Sequence, residues 1–294
     1  MITDKLIDKI IETNAPICVG LDTHLGVMPA SYIKNVDVSD LSKCADKIFE
    51  YNKILIDKLA DIIPSVKLQN AYYEMYGIAG IEAYAKTIEY AHSANMIVIA
   101  DVKRGDIGST CTAYADAHLG KALFNADFMT VNPYFGTDGM QPFLDKCIED
   151  DKGLFVLVKT SNPSSSELQD LMTDDGSKIY EKCADLVIKW GNTAGKHGYN
   201  SIGAVVGATH KEEGISLRKK MKNTFFLIPG YGAQGAAADD IAGMFDKNGV
   251  GGIVNSSRGI IGAWKKAETD DFAQSAYDAT VSMIESIDKA LNNK

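Results

Sequence analysis

A (β/α)8 TIM barrel with an extra N-terminal helix, an α/β fold, is the class predicted by this 294-residue sequence. Three observations lead there. Short apolar segments alternate eight times with longer segments of helical periodicity. The strand candidates are continuous apolar runs, IVIA at 97–100 and FFLI at 225–228, as expected of strands covered on both faces rather than one. No linker rich in Pro, Gly or Ser divides the chain, so residues 1–294 read as one barrel domain, in the length range of this fold. A doubly wound open sheet is the alternative, but its GxGxxG fingerprint is missing after the first strand.

The chain opens with MITDKLIDKIIETN, whose apolar residues recur at helical spacing, with Thr3 or Asp4 as the expected cap. Strand one is expected at 17–21 and ends at Asp22. A polar loop and an amphipathic segment at 41–62 follow, then strand two at 65–69 and a helix at 77–94. Strand three, 96–103, turns from apolar to charged at its end: Asp101, Lys103, Arg104, Asp106. Gly105 permits a turn there, and Ser109 or Thr110 caps or enters the next helix. Strands at 128–131, 154–159, 202–206, 225–228 and 252–255 complete the set. Their helices are expected near 140–149, 177–193, 212–221, 236–245 and 271–291. Between Ser161 and Gly176 lies a long polar loop, SNPSSSELQDLMTDDG, read as a lid because it follows a strand end.

Composition narrows the function. The chain is 46% hydrophobic and 23% charged, with a net charge of −9, which fits a globular protein and argues against a nucleic-acid partner. Local cations can still hold a small anion. Cys18, Cys44, Cys111, Cys147 and Cys183 are odd in number and show neither CxxC nor zinc-finger spacing, so a reducing compartment is expected. The N-terminus has no signal-peptide core, and no apolar run approaches the roughly 20 residues that cross a bilayer. The expectation is a cytoplasmic protein with no membrane contact.

In a barrel all C-terminal strand ends meet on one face, where active sites of this fold lie. Read in order, those ends carry Asp22, Lys67 with Gln69, Asp101 with Lys103, Asn132, Thr160 with Ser161, a glycine-rich turn, and Arg258. Strand alternation puts Asp101 and Lys103 on one face, an anion beside a cation. Taken alone, such a DxK pair would be an ordinary salt bridge, but charged groups recurring at the same end of successive strands are not expected by chance. After strand seven, PGYGAQG (229–235) offers backbone amides, Gly230 among them, to an anion ahead of a helix. Arg258 in NSSRGI adds a planar fork of donors. Loops after strands seven and eight are where barrels commonly hold phosphate.

The motif ADVKRGDIGST (100–110) resembles the DxKxxDIxxT signature of the orotidine 5′-phosphate decarboxylase family, in its longer bacterial-type group. GLDTH, KLQNAYYE, KTSNPS, PGYGAQG and NSSRGI are similar to that family's remaining motifs in the same order, over nearly the whole chain. The resemblance implies decarboxylation of orotidine 5′-monophosphate to UMP, the last step of pyrimidine nucleotide synthesis, with no cofactor and no metal. It implies that Lys103 protonates C6 of the pyrimidine as CO2 leaves, that Asp101 sits against the substrate carboxylate, and that Lys67 completes the charged network. Asp22 and Lys67 would touch the ribose, Ser161 the pyrimidine amide, and Gln234, Arg258 and the Gly230 turn the phosphate. It further implies a homodimer in which Asp106, Ile107 and Thr110 complete the neighbouring subunit's site.

Other residues read as structural. His24 and the Tyr72, Tyr73, Met75 and Tyr76 group are expected to pack, Cys111 to be a buried small hydrophobe, and Arg104 to face away from Lys103 into a surface or interface pair. Asn132 and Thr160 are expected only to support the site. Rival functions are a metal-dependent sugar-phosphate decarboxylase or aldolase, a Schiff-base aldolase on Lys103 or Lys159, and a catalytically silent phosphate-binding barrel. The first needs carboxylates for Mg2+ where strand two offers Lys67 and Gln69. The second wants a lysine free of a neighbour such as Asp101. The intact Asp101, Lys103 and Asp106 set argues against the third.

Overall fold

A computed structural model describes residues 1–191, 193–232 and 235–293. Eight parallel strands close into a barrel in chain order: β1 (Ile17–Gly20), β2 (Ser65–Gln69), β3 (Ile97–Arg104), β4 (Phe128–Val131), β5 (Gly153–Lys159), β6 (Ile202–Val206), β7 (Phe226–Pro229) and β8 (Gly252–Ser256). Closure comes from β1 pairing with β8, Cys18 opposite Asn255, so the open-sheet alternative is excluded.

The apolar runs are covered on both faces, as their composition demands. Outward-facing Val66, Val98, Ala100, Met129, Val156 and Ala204 pack against the helical shell. Inward-facing Cys18, Ile97, Ile99, Phe128, Phe155, Leu227 and Ile253 fill the lower barrel. There Phe128 and Phe155 stack with ring centroids 5.1 Å apart. Gly153 makes room for them: a Cβ at that position would lie 2.2 Å from Phe128 Cε1.

The extra helix, Ile2–Thr13, lies across the N-terminal end of the barrel, and its Ile2, Leu6, Ile7 and Ile10 join the interior cluster. It starts two or three residues earlier than the sequence suggests, with Met1 rather than Thr3 or Asp4 at its cap. Asp4 still takes part in capping from the third helical position, accepting from the Met1 amine at 3.3 Å, and both residues also serve tertiary contacts. Thr3 Oγ1 donates to the Asn200 carbonyl at 3.2 Å, and Asp4 accepts from the His197 backbone N–H at 3.2 Å. The helix is thereby tied to the chain entering β6.

Elsewhere the shell follows expectation, with helices at Leu41–Leu59, Gly77–Ser93, Gly108–Leu119, Gly136–Asp150, Ile179–Trp190, Lys211–Lys220 and Phe272–Asn292. The exception is 236–245, where a helical turn, Ala238–Ile241, passes directly into a 3-10 turn, Ala242–Met244. Gly243 presses against the neighbouring Lys211–Lys220 helix, where a Cβ would lie 2.6 Å from Ile215 Cγ1. That close approach replaces a regular helix.

The N-terminal helix acts as a stopper on the barrel floor, so truncating it from within should be costly. Leu6 is fully buried, and Leu6→Ala is expected to lower the unfolding free energy by about 2–4 kcal/mol, read from urea denaturation curves.

Candidate active site

The C-terminal mouth is organised around one carboxylate. Asp101, inward-facing on β3 and 7% exposed, receives Lys67 Nζ on Oδ2 at 2.7 Å and Lys103 Nζ on Oδ1. Gln69 Nε2 adds a bond to Oδ2 at 3.1 Å, and Thr130 Oγ1 one to Oδ1 at 3.0 Å. Lys67 is itself shared, reaching Asp22 Oδ1 at 3.4 Å. Asp22, Lys67, Asp101 and Lys103 thus form a continuous chain of alternating charge across three strand ends.

Burial pushes Asp101 toward the neutral acid, but the Lys67 and Lys103 ammonium groups override it and hold the carboxyl well below the usual carboxylate range. Lys67 is the mirror case. Burial works against its charge, yet Asp101 and Asp22 raise it well above the usual lysine value. Both groups stay ionised in a site from which water is largely excluded.

Lys103 reaches Asp101 by a route that strand alternation alone does not describe. Pairing of β3 with β4 shifts register between Ala100 and Arg104, and Lys103 has a left-handed backbone, φ 45°. Thr130 Oγ1 accepts from the backbone N–H groups of both Val102 and Lys103, each at 2.9 Å. One β4 hydroxyl therefore fixes the kink that aims the ammonium. The Lys103 side chain remains 45% exposed, open to the cavity above.

Two cavities meet at this array and share Lys67, Asp101 and Pro229. One, about 210 Å3, is polar, lined by Asp22, Gly230, Asn255, Ser257 and Arg258. The other, about 360 Å3, combines Leu157, Val205 and Leu227 with Lys103, Thr160 and Ser161. A long ligand with an anionic end and a flat, mostly apolar end would lie across both, its middle against Lys67 and Asp101.

The structure therefore gathers Asp22, Lys67, Asp101, Lys103, Ser161, Gly230 and Arg258. Gln234 lies outside the described residues. Asp106, Ile107 and Thr110 line neither cavity; Asp106 Oδ1 accepts from the Ile107 N–H at 2.8 Å, and the Ile107 side chain is exposed. Arg104 turns away as expected, pairing with Glu74 at 2.7 Å, and Cys111 is buried.

His24 packs as expected, stacked on Tyr72 at 5.2 Å, and both also line the polar cavity; Tyr73 and Tyr76 are core, and Met75, 59% exposed, ends the short helix Ala71–Glu74. Thr130 and Asn255 escaped notice in the sequence. The available signal was strand parity: Thr130 follows inward-facing Phe128 by two residues, and Asn255 likewise follows Ile253. Asn132 stays off the site, its Oδ1 capping the turn at Tyr134 N at 3.0 Å.

The Ser161–Gly176 loop is anchored rather than loose. Lys159, fully buried at the end of β5, binds both oxygens of Asp170 at 2.9 Å, and Gln169 Oε1 accepts from the Thr160 N–H at 3.0 Å. Ser161 is thereby held at the rim. Among the described residues no group of three or more His, Cys, Asp or Glu side chains gathers in a way that could hold a metal ion.

Residues 15–270 match the sequence model of the orotidine 5′-phosphate decarboxylase / HUMPS family. The chain belongs to that family. It is 43% identical to the orotidine 5′-phosphate decarboxylase of Clostridium acetobutylicum over 294 residues, 99% of this chain and 100% of the relative. Among solved structures, the OMP decarboxylase of Leishmania donovani superposes with a TM-score of 0.77 at 28% identity, covering 99% of this chain and 98% of that one. A UMP synthase of the same organism superposes with a TM-score of 0.80 at 30% identity, and there this chain spans 57% of the longer protein. The decarboxylase family is thus the setting for the charged array.

The array makes a prediction about pH and stability. A carboxyl whose pKa is depressed on folding contributes stability above its unfolded value, about 4, and loses it as pH falls through the folded value. Lys67→Met removes one of the two ammonium groups that depress Asp101, and its pKa must rise. The variant is expected to be about 3 kcal/mol less stable at neutral pH. By linkage the deficit should shrink as pH falls from 7 to about 3, through the raised value at which the variant's carboxyl takes up a proton and the wild-type's does not. Urea unfolding at the two pH values measures this, and an undiminished deficit would show that the ammonium does not hold Asp101 ionised.

Proposed function

We propose that this chain decarboxylates orotidine 5′-monophosphate to UMP, with Lys103 stabilising and then protonating the carbanion at C6. The observation that carries the reading is the position of Asp101 and Lys103 where a polar cavity ending at Arg258 joins a cavity walled by Leu157, Val205 and Leu227. A phosphoribosyl group suits the first, with Arg258 and the Gly230 turn toward the phosphate and Asp22 with Lys67 toward the ribose. A pyrimidine ring suits the second, with Ser161 at its amide edge.

The chemistry follows from charge. Breaking the bond between C6 and the carboxylate leaves an electron pair in the plane of the ring, where no carbonyl can delocalise it. The Lys103 ammonium, already aimed before reaction, stabilises that pair as CO2 departs and then donates its proton to C6. The half-exposed amine regains a proton from solvent. Asp101, ionised and close to the substrate carboxylate, disfavours the bound ground state and loses that repulsion as CO2 forms. Binding energy collected at the phosphate end can offset that cost.

The metal-dependent alternative fits poorly, because the two carboxylates at the mouth, Asp22 and Asp101, are both engaged by the Lys67 ammonium. A Schiff base on Lys159 fits no better, since that amine is fully buried against Asp170.

A homodimer belongs to this reading. Asp106, Ile107 and Thr110 line neither of their own chain's cavities, Ile107, Tyr134 and Phe135 are exposed, and Asp106 and Phe135 meet over Gly139, a rim patch suited to a second copy. In such a dimer each Asp106 approaches the partner's site. We also place the enzyme in the cytoplasm, in keeping with five free cysteines; no helix among the described residues is long and apolar enough to cross a membrane.

Orotidylate absorbance should decay on adding metal-free protein, and Lys103→Ala should slow the decay by roughly 10⁴-fold or more. Wild-type protein that binds the nucleotide without turnover would sink the proposal.

The shared site predicts complementation between inactive variants. Mixing Lys103→Ala with Asp106→Ala protein and allowing subunits to exchange should restore about a quarter of wild-type activity, because half of the dimers are mixed and each mixed dimer has one intact site. No recovery in a mixture shown to exchange would mean that Asp106 does not serve a partner.

A further inference from the structure

Buried polar side-chain atoms without a hydrogen-bond partner are scattered through the described residues, but only one belongs to a residue lining either cavity at the mouth: Asn255 Oδ1. Asn255 is 7% exposed and sits on β8 two residues after the inward-facing Ile253. Its register partners are Cys18 on β1 and Pro229 on β7, which places it low in the polar cavity, below Asp22 and beside Lys67's strand neighbour Gly20. The carboxamide nitrogen is engaged by Ser257 Oγ at 3.5 Å, leaving the oxygen as a free acceptor. Gly20 leaves room for the Ser257 hydroxyl beside this carboxamide: a Cβ there would lie 1.9 Å from Ser257 Oγ and 3.3 Å from Asn255 Oδ1.

A buried acceptor left without a donor is costly, so such an atom in a ligand cavity calls for a donor from the ligand. A phosphate dianion offers only acceptors and cannot supply it. Lys67 is committed to Asp101 and Asp22. On the reading that the polar cavity takes a phosphoribosyl group, the donors within it are the hydroxyls of the ribose.

We propose that Asn255 is a specificity-determining residue that accepts a hydrogen bond from a ribose hydroxyl of the bound nucleotide, selecting ribonucleotide over deoxyribonucleotide substrate. It does so from the floor of the cavity, on a strand distinct from those that carry Asp22 and Lys67. A site built around a hydroxyl donor discriminates sharply against an analogue lacking it, since the acceptor then stays buried and unpaired.

The test compares kcat/KM on orotidine 5′-phosphate with its 2′-deoxy and 3′-deoxy analogues. Wild-type enzyme is expected to prefer the parent over at least one analogue by about 10- to 100-fold. In Asn255→Ala that preference should fall to within about threefold at one hydroxyl, while the preference at the other is kept, since only one partner is lost. Asn255→Asp, which retains the acceptor oxygen, should keep both preferences. If Asn255→Ala does not fold, Asn255→Ser, too short to reach, carries the same comparison. A merely structural residue would lower kcat/KM equally on all three substrates, and that result, or unchanged preferences, overturns the proposal. Wild-type protein inert toward all three overturns the functional reading itself, a distinct outcome.

Discussion

A single ionised carboxylate inside the mouth of the barrel governs the rest of this site. Burying a lone Asp would cost several kcal/mol, and the chain offsets it with two ammonium groups, a carboxamide and a hydroxyl drawn from β2, β3 and β4. Apart from Lys103, two residues along the same strand, none of these partners could be placed by local structure alone. They converge because parallel strands of a closed barrel bring the same end of each to one ring, with Gln69 in register with Asp101. The array is a poor device for stability, since a well-packed apolar substitute would often serve as well. Its worth is preorganisation: charges fixed before substrate arrives need no reorganisation when charge develops.

The kink at Lys103 shows how that fixation is achieved. A non-glycine residue in the left-handed region costs about 1–3 kcal/mol and persists only where its surroundings enforce it. Here the enforcement is the Thr130 hydroxyl, which accepts two consecutive backbone N–H groups while donating to Asp101. The same oxygen therefore sets the backbone that carries Lys103 and the carboxylate that Lys103 meets. Arg104 pairs with Glu74 on the far side. Catalytic aim is thus a property of three strands, although the ammonium belongs to one.

How much of this was legible depended on whether the determining contact was local. Strands two, four and six were readable to the residue, because an unbroken apolar run bounded by polar residues has few alternatives in a parallel sheet. The Asp101–Lys103 contact was foreseen from parity, for a reason that proved incomplete, since the register shift at 100–104 intervenes. The first helix has its cap at Met1, with Asp4 capping from its third position, while Thr3 is taken up by Asn200, nearly 200 residues away, a contact that local sequence does not show. The helix after β7 was overestimated because propensity cannot register Gly243 pressing on Ile215. Thr130 carries no motif, Tyr72 and Asn255 lie within KLQNAYYE and NSSRGI without a role assigned to either, and only closure of the barrel brings the three to the mouth.

The two cavities divide the work in a way that their chemistry explains. A polar compartment ending at an exposed guanidinium can bind a phosphate strongly without touching the reacting carbon, and an apolar one can hold a flat ring while excluding water. Had both been polar, water would compete for Lys103 and screen it; had both been apolar, nothing would hold the nucleotide against the repulsion of Asp101. Lys67 stands at the junction, bonded to the carboxylate of each side, Asp22 and Asp101. A ligand that displaces water from one compartment therefore strengthens the field in the other, because the shared ammonium lies in a medium of lower dielectric once either is filled. On the proposed reading, phosphate recognition and carbanion stabilisation are thereby linked through a single buried cation.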